Sequence, residues 1–160
     1  MLSSTHPCPP TPGNMRKPKS QKANITIGTL NVNSYAAPSS NMMGIEKWSA
    51  INRTINNNNI AILTLQETHL DPALLHDATA CFGRKLEILN SPHPVNPRAM
   101  AGVAFIINKA LINPREYKLH VLKPGWAAAL KIKWLEDEEI LLLNVYAPNF
   151  QEESVSFWEA

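Results

Sequence analysis

Leu30-Asn31-Val32-Asn33 and Leu65-Gln66-Glu67-Thr68 each place a polar, oxygen-bearing side chain directly after a run of apolar β-formers, about one supersecondary unit apart. Glu67 is the strongest single candidate for chemistry. A carboxylate at the carboxyl end of a buried strand is held on rigid backbone while its oxygens face a cleft. A hard cation such as Mg²⁺ needs few such ligands and fills its remaining positions with water or phosphate oxygens. Asn31 ends the equivalent earlier strand, where a neutral amide can fix a ligand water or a neighbouring carboxylate without adding charge. Asn33, two positions on, points the same way while the chain stays extended. Tyr146 ends a later strand ahead of Ala147-Pro148-Asn149, where proline stops the ladder. A phenol there can donate to a non-bridging phosphate oxygen, and the Asn149 amide can do the same. Each residue also has a plainer reading when taken alone: a solvated strand end for Glu67, a turn opener for Asn31, a packing residue for Tyr146.

The elements that must hold these side chains can be read from periodicity. Ile25-Thr26-Ile27-Gly28-Thr29-Leu30 is a β-rich alternation, broken by the turn formers of Ser34 to Asn41. Ile45, Trp48, Ile51 and Ile55 recur at three- and four-residue spacing, which predicts an amphipathic helix over 45–56, ended by the Asn56 to Asn59 run. Ile60 to Leu65 suits a strand buried on both faces, and Asp71-Pro72 supplies an N-cap and a first-turn proline for a helix over about 72–81. Strand-like runs follow at Leu86 to Leu89, Gly102 to Ile107, Tyr117 to Leu122, Ala127 to Trp134 and Glu139 to Tyr146, read as meandering antiparallel neighbours. The order is that of an α/β or α+β layered domain, with helices on one face of a sheet and no evident cover for its other face. Runs such as Ala104 to Ile107 and Ile140 to Leu143 are apolar at both alternating sets of positions and so expect burial on both sides.

Residues 1–23 hold Pro7, Pro9, Pro10, Pro12 and Pro18 among Arg16, Lys17, Lys19 and Lys22, and are expected to form a disordered basic arm ahead of a single domain over 24–160. A length of 160 residues with 44% hydrophobic content suffices for one core, and a net charge of +2 neither selects nor excludes a polyanion. Cys8 and Cys81 lack zinc-like spacing, and neither a membrane-spanning run nor a secretory h-region is present. A soluble, intracellular protein, nuclear or cytoplasmic and without a membrane partner, is the expectation. His69, His76, His93 and His120 are given no catalytic role, and there is no Gly-rich phosphate loop, Gly-x-Ser-x-Gly or His-Glu-x-x-His.

Taken together, Thr29 to Asn33, Leu65 to Leu70, Gly102 to Ile107 and Leu143 to Asn149 resemble the endonuclease/exonuclease/phosphatase superfamily, most of all the endonuclease domains of LINE-type (non-LTR) retrotransposons. The resemblance covers residues 25–160. It implies the N-terminal half of a four-layer α/β/β/α sandwich and a Mg²⁺-dependent (or Mn²⁺-dependent) hydrolase that nicks DNA by attack of an activated water. It assigns Asn31 and Glu67 to the metal site, Tyr146 and Asn149 to the scissile phosphate, and Asn33 to a supporting position. Ser34 stands where the family usually has Gly, and Leu30 replaces a frequent aromatic. The family's Gly-Asp-x-Asn and Ser-Asp-His segments have no counterpart, the only aspartates being Asp71, Asp77 and Asp137. The expectation is therefore a truncated domain that binds the metal weakly, is inactive alone, and lacks a C-terminal half or a downstream reverse transcriptase domain. Two alternatives stand beside it: an abasic-site endonuclease or phosphatase branch of the superfamily, and a non-catalytic DNA-binding remnant.

Overall fold

The computed structural model describes residues 24–32, 41–113, 117–133, 138–148, 155 and 157–159, the side chains of 41–45 excepted. The basic arm, Asn33 and Asn149 lie outside the described residues. Along the chain run β1 (Thr26–Asn31), α1 (Asn41–Asn57), β2 (Ile60–Gln66), α2 (Pro72–Phe82), β3 (Leu86–Ser91), β4 (Val103–Asn108), β5 (Tyr117–Lys123), β6 (Ala127–Lys133) and β7 (Glu139–Val145).

Both helices start and stop for local reasons. The α1 helix begins at Asn41, ahead of the expected residue 45, because Met42 and Met43 are good helix formers that extend it by a turn. It ends where Asn59 enters the left-handed region at φ 49°, a conformation that asparagine tolerates better than most residues. In α2 the Asp71 carboxylate accepts the Leu74 N–H at 2.8 Å and Pro72 opens the first turn. Arg98 also pairs with that carboxylate, tying the β3–β4 loop to the helix N-terminus.

The strands divide into two sheets rather than one. The first has the order β1-β2-β4-β3, with β1 and β2 parallel around the α1 crossover and the remaining pairs antiparallel. The second is the antiparallel meander β5-β6-β7. The expectation of one run of meandering antiparallel neighbours thus holds for β3 with β4 and for β5 to β7, and fails between β4 and β5, which lie in different sheets; β4 also inserts between β2 and β3. The expectation that the face opposite the helices lacks cover is also corrected, since the second sheet packs there.

This layering explains the apolar run of β4. Ala104 and Ile106 join the core under the helices with Trp48, Ile51, Ile55, Leu63 and Leu65. Val103, Phe105 and Ile107 face the second sheet and pack with Ala128, Leu130 and Ile132. The period-two alternation is present but hidden, because both of its faces are buried. β7 differs: Leu142 packs inward, while Leu141 and Leu143 are 69% and 61% exposed on the outer face. The expectation that β7 is buried on both sides is not met among the described residues. The arrangement is a helix, sheet, sheet stack, an α/β sandwich.

Candidate active site at the rim of the two sheets

Because β1 and β2 are parallel, their carboxyl ends lie side by side, with Asn31 opposite Gln66 in register. The chain leaves β2 through Glu67 at φ 53°. Its side chain meets that of Asn31, whose Nδ2 donates to Glu67 Oε1 at 2.8 Å. The two residues singled out in sequence, 36 positions apart, are brought into direct contact.

Tyr146 belongs to the other sheet, and one buried amide ties the sheets together beside it. Asn144, only 2% exposed, donates through Nδ2 to the carbonyls of Leu65 at 2.9 Å and Ala104 at 3.0 Å. Its Oδ1 accepts from Gln66 Nε2 at 2.6 Å. With two carbonyls facing one end and an amide donor facing the other, only one orientation of the Asn144 amide satisfies all three partners. The clasp holds the residue before Glu67 against the residue two before Tyr146. Sequence reasoning passed over Asn144, although a buried polar residue within an apolar strand was the available signal.

The turn between β5 and β6 completes this rim. Gly125, at φ 79°, donates its N–H to Ser91 Oγ at 3.2 Å and accepts the Gly102 N–H at 2.8 Å. A Cβ on Gly125 would stand 2.7 Å from His93 Cα, so the close approach admits only glycine. Trp126 follows, with its ring stacked on Tyr146 at 5.7 Å between centroids and 1° between planes. The Tyr146 N–H donates to the Trp126 carbonyl at 2.7 Å.

Two further groups that sequence reasoning set aside or missed stand near Glu67. Burial lowers the pKa of the Lys47 ammonium on α1, and the Glu67 carboxylate opposes that shift. His69 is likewise lowered by burial; Glu67 opposes the shift and Lys47 adds to it, favouring a neutral imidazole. Its Nδ1 is buried without a hydrogen-bond partner among the described residues. His69 (φ 47°) and Ala101 (φ 48°) share with Glu67 the left-handed region that non-glycine residues seldom adopt. Backbone hydrogen bonds hold the segment there: the Thr68 N–H reaches the Gly102 carbonyl at 3.1 Å and the His69 N–H reaches that of Ala101 at 3.3 Å. Three such residues at one rim are the kind of local strain that collects at functional sites. No spacing in the sequence could disclose Lys47, since only the packing of α1 brings it to the end of β2.

The donors gathered here are hard oxygens, the carboxylate of Glu67 beside the amide of Asn31. They suit a cation that keeps most of its waters. Among the described residues no three His, Cys, Asp or Glu side chains are placed to form a metal cage. His76 on α2 and Cys81 are exposed and play no part in this rim. Among the described residues no helix is long and apolar enough to cross a membrane.

No protein-family model matches the sequence, and no curated protein is significantly similar to it. Solved structures are similar in fold. TDP2 from Caenorhabditis elegans aligns with a TM-score of 0.52 at 15% identity, over 80% of this chain and 36% of that one. The AP endonuclease LMAP from Leishmania major aligns with a TM-score of 0.51 at 15% identity, over 76% of this chain and 39% of that one. The chain therefore shares their α/β sandwich fold while spanning well under half of their length.

Proposed function

We propose that this chain carries part of a metal-dependent phosphodiesterase site that acts on DNA, of the endonuclease/exonuclease/phosphatase type. The observation that carries the proposal is the 2.8 Å contact of Asn31 with Glu67 at the rim, clasped through Gln66 and Asn144 to the strand that presents Tyr146. The fold shared with a named AP endonuclease supports it. Within the superfamily, the wording of the Tyr146-Ala147-Pro148-Asn149 segment favours the DNA-nicking endonucleases of LINE-type retrotransposons.

In this reading Glu67 and Asn31 would hold Mg²⁺ or Mn²⁺, Glu67 through its carboxylate and Asn31 through its amide oxygen, while the Asn31 Nδ2 orients that carboxylate. The bound ion would neutralise charge on the scissile phosphate. Tyr146 donates from its phenol to a non-bridging phosphate oxygen, with Asn149 in the same role and Asn33 in support. Lys47 adds a positive charge beside Glu67 that favours an anionic substrate. The Gly-Asp-x-Asn and Ser-Asp-His segments that would position the water and stabilise charge on phosphorus have no counterpart in these 160 residues. We accordingly propose that the polypeptide alone binds the ion weakly and is inactive in nicking without groups of the kind those two segments supply.

The test is divalent-ion binding by the chain, followed by Mn²⁺ paramagnetic relaxation of water, together with nicking of supercoiled plasmid by a complemented domain. Both signals should be reduced in Glu67→Ala. Ion binding and nicking that ignore Glu67→Ala would refute the assignment. Abasic duplex assayed beside phosphoinositide in a complemented domain separates the nuclease branches from the phosphatase branch.

A further inference from the structure

We propose that the aromatic row next to the Asn31–Glu67 pair is a stacking subsite for an unpaired base of the substrate strand. The inference rests on the reading of the rim as a site for DNA. Its residues are Trp126, Tyr146, Phe157 and Trp158, with Lys123 as the accompanying cation.

The row is built rigidly. Trp126 donates its N–H to the Lys123 carbonyl at 2.9 Å and accepts from the Tyr146 N–H at 2.7 Å, while Gly125 before it is fixed to Ser91 and Gly102. Five contacts then join the rings and the cation. Trp126 lies parallel to Tyr146, meets His93 edge-on at 6.0 Å, and meets Phe157 at 6.4 Å and 61°. Phe157 is buried and meets Trp158 edge-on at 4.9 Å and 87°. The Lys123 ammonium stands 4.5 Å from the centre of the Phe157 ring.

Trp158 ends this row 66% exposed. A single exposed apolar residue is ordinary. An exposed indole braced by a buried ring, with an ammonium on the same ring, is the pairing that a nucleotide offers a match for: a π-face for the base and an anion for the lysine. Stacking of this kind accepts any base, which suits a site that grips the strand beside the cleaved bond rather than reading its sequence. The Gln66–Asn144 contact, and the hydrogen bonds from Thr68 to Gly102 and from Gly102 to Gly125, bring the start of the row at Trp126 and Tyr146 to the rim that carries Glu67; the proposal runs the strand from that rim along the rings.

The test uses the full chain in EDTA, with fluorescence anisotropy of a short labelled oligothymidylate and of an abasic oligomer carrying the same number of phosphates. Trp158→Ala, at an exposed position that poses little risk to folding, should weaken oligothymidylate binding about 5- to 100-fold and leave abasic binding unchanged. Lys123→Gln should weaken both and flatten the salt dependence. Equal affinity for the two oligomers, or no effect of Trp158→Ala, would overturn the subsite. Glu67→Ala separates the two ideas. In EDTA it should leave stacking intact, so loss of the ion signal with retained Trp158-dependent binding supports both the site and the subsite. Ion binding indifferent to Glu67→Ala sinks the metal reading alone.

Discussion

Asn144→Asp exchanges an amide for a group of nearly the same shape, and the structure says what that exchange should do. The Nδ2 that serves Leu65 and Ala104 becomes an oxygen aimed at two carbonyl oxygens, while the acceptor facing Gln66 Nε2 is kept. Each buried polar group left unsatisfied costs about 1–3 kcal/mol. Two carbonyls therefore set a loss of about 2–6 kcal/mol for Asn144→Ala, a large share of the roughly 5–15 kcal/mol that holds a domain together. The aspartate adds a charge with no cationic partner in those contacts, so its folded-state pKa must lie above its ordinary value of about 3.9. Between those two values the folded state binds more protons than the unfolded state, and stability falls as pH rises. Asn144→Asp should thus be less stable than Asn144→Ala at about pH 8 and recover at about pH 5, with a slope of up to about 1.4 kcal/mol per pH unit. Urea unfolding followed by tryptophan fluorescence at the two pH values measures this. If the two variants lose the same stability at both pH values, the amide is not donating to the paired carbonyls and the clasp is misassigned.

Other outcomes follow from the same structure. Burial raises the pKa of the Asp71 carboxyl, but the Leu74 N–H and the Arg98 guanidinium outweigh it and hold the group below its ordinary value. Its contribution is therefore present above that ordinary value and lost as pH falls through the folded value. Asp71→Ala should cost about 1–2 kcal/mol at neutral pH as a lost cap and little under strong acid, read by thermal unfolding across pH. Gly125→Ala should cost about 2–4 kcal/mol, since the residue sits at φ 79° and the new Cβ meets the His93 backbone. Gly28→Ala meets only side-chain ends, Leu63 Cδ1 at 3.0 Å and Ile60 Cδ1 at 3.3 Å, and should cost less, so comparable melting temperatures for the two would refute the account. Phe105→Ala, in the layer between the sheets, should lose about 3–5 kcal/mol by chemical denaturation.

The sequence showed the elements more clearly than their partners. Asp71-Pro72 announced α2, and the apolar run of β2 announced a strand buried on both faces, because both signals are local. The insertion of β4 between β2 and β3 was illegible, since pairing across the chain leaves no mark in any single segment. Asn31 and Glu67 were legible as strand-end side chains flanked by β-formers, and their contact needed only the parallel register of β1 and β2. Lys47 and His69 were not legible, because their place beside Glu67 depends on how α1 packs and on left-handed backbone at His69.

The division of strands between the sheets has a consequence for how the molecule fails. The second sheet joins strands that are consecutive along the chain, whereas the first brings β1 beside β2 across a helix and threads β4 between β2 and β3. Each sheet keeps its own ladder of backbone hydrogen bonds, but Glu67 and Tyr146 belong to different ladders. Opening the seam between the sheets would part them before any strand melts. Competence at the rim is thus a property of the seam. A complemented domain weakened by heat or mutation should lose the proposed nicking, which needs Tyr146, while its far-ultraviolet circular dichroism still reports intact strands and helices.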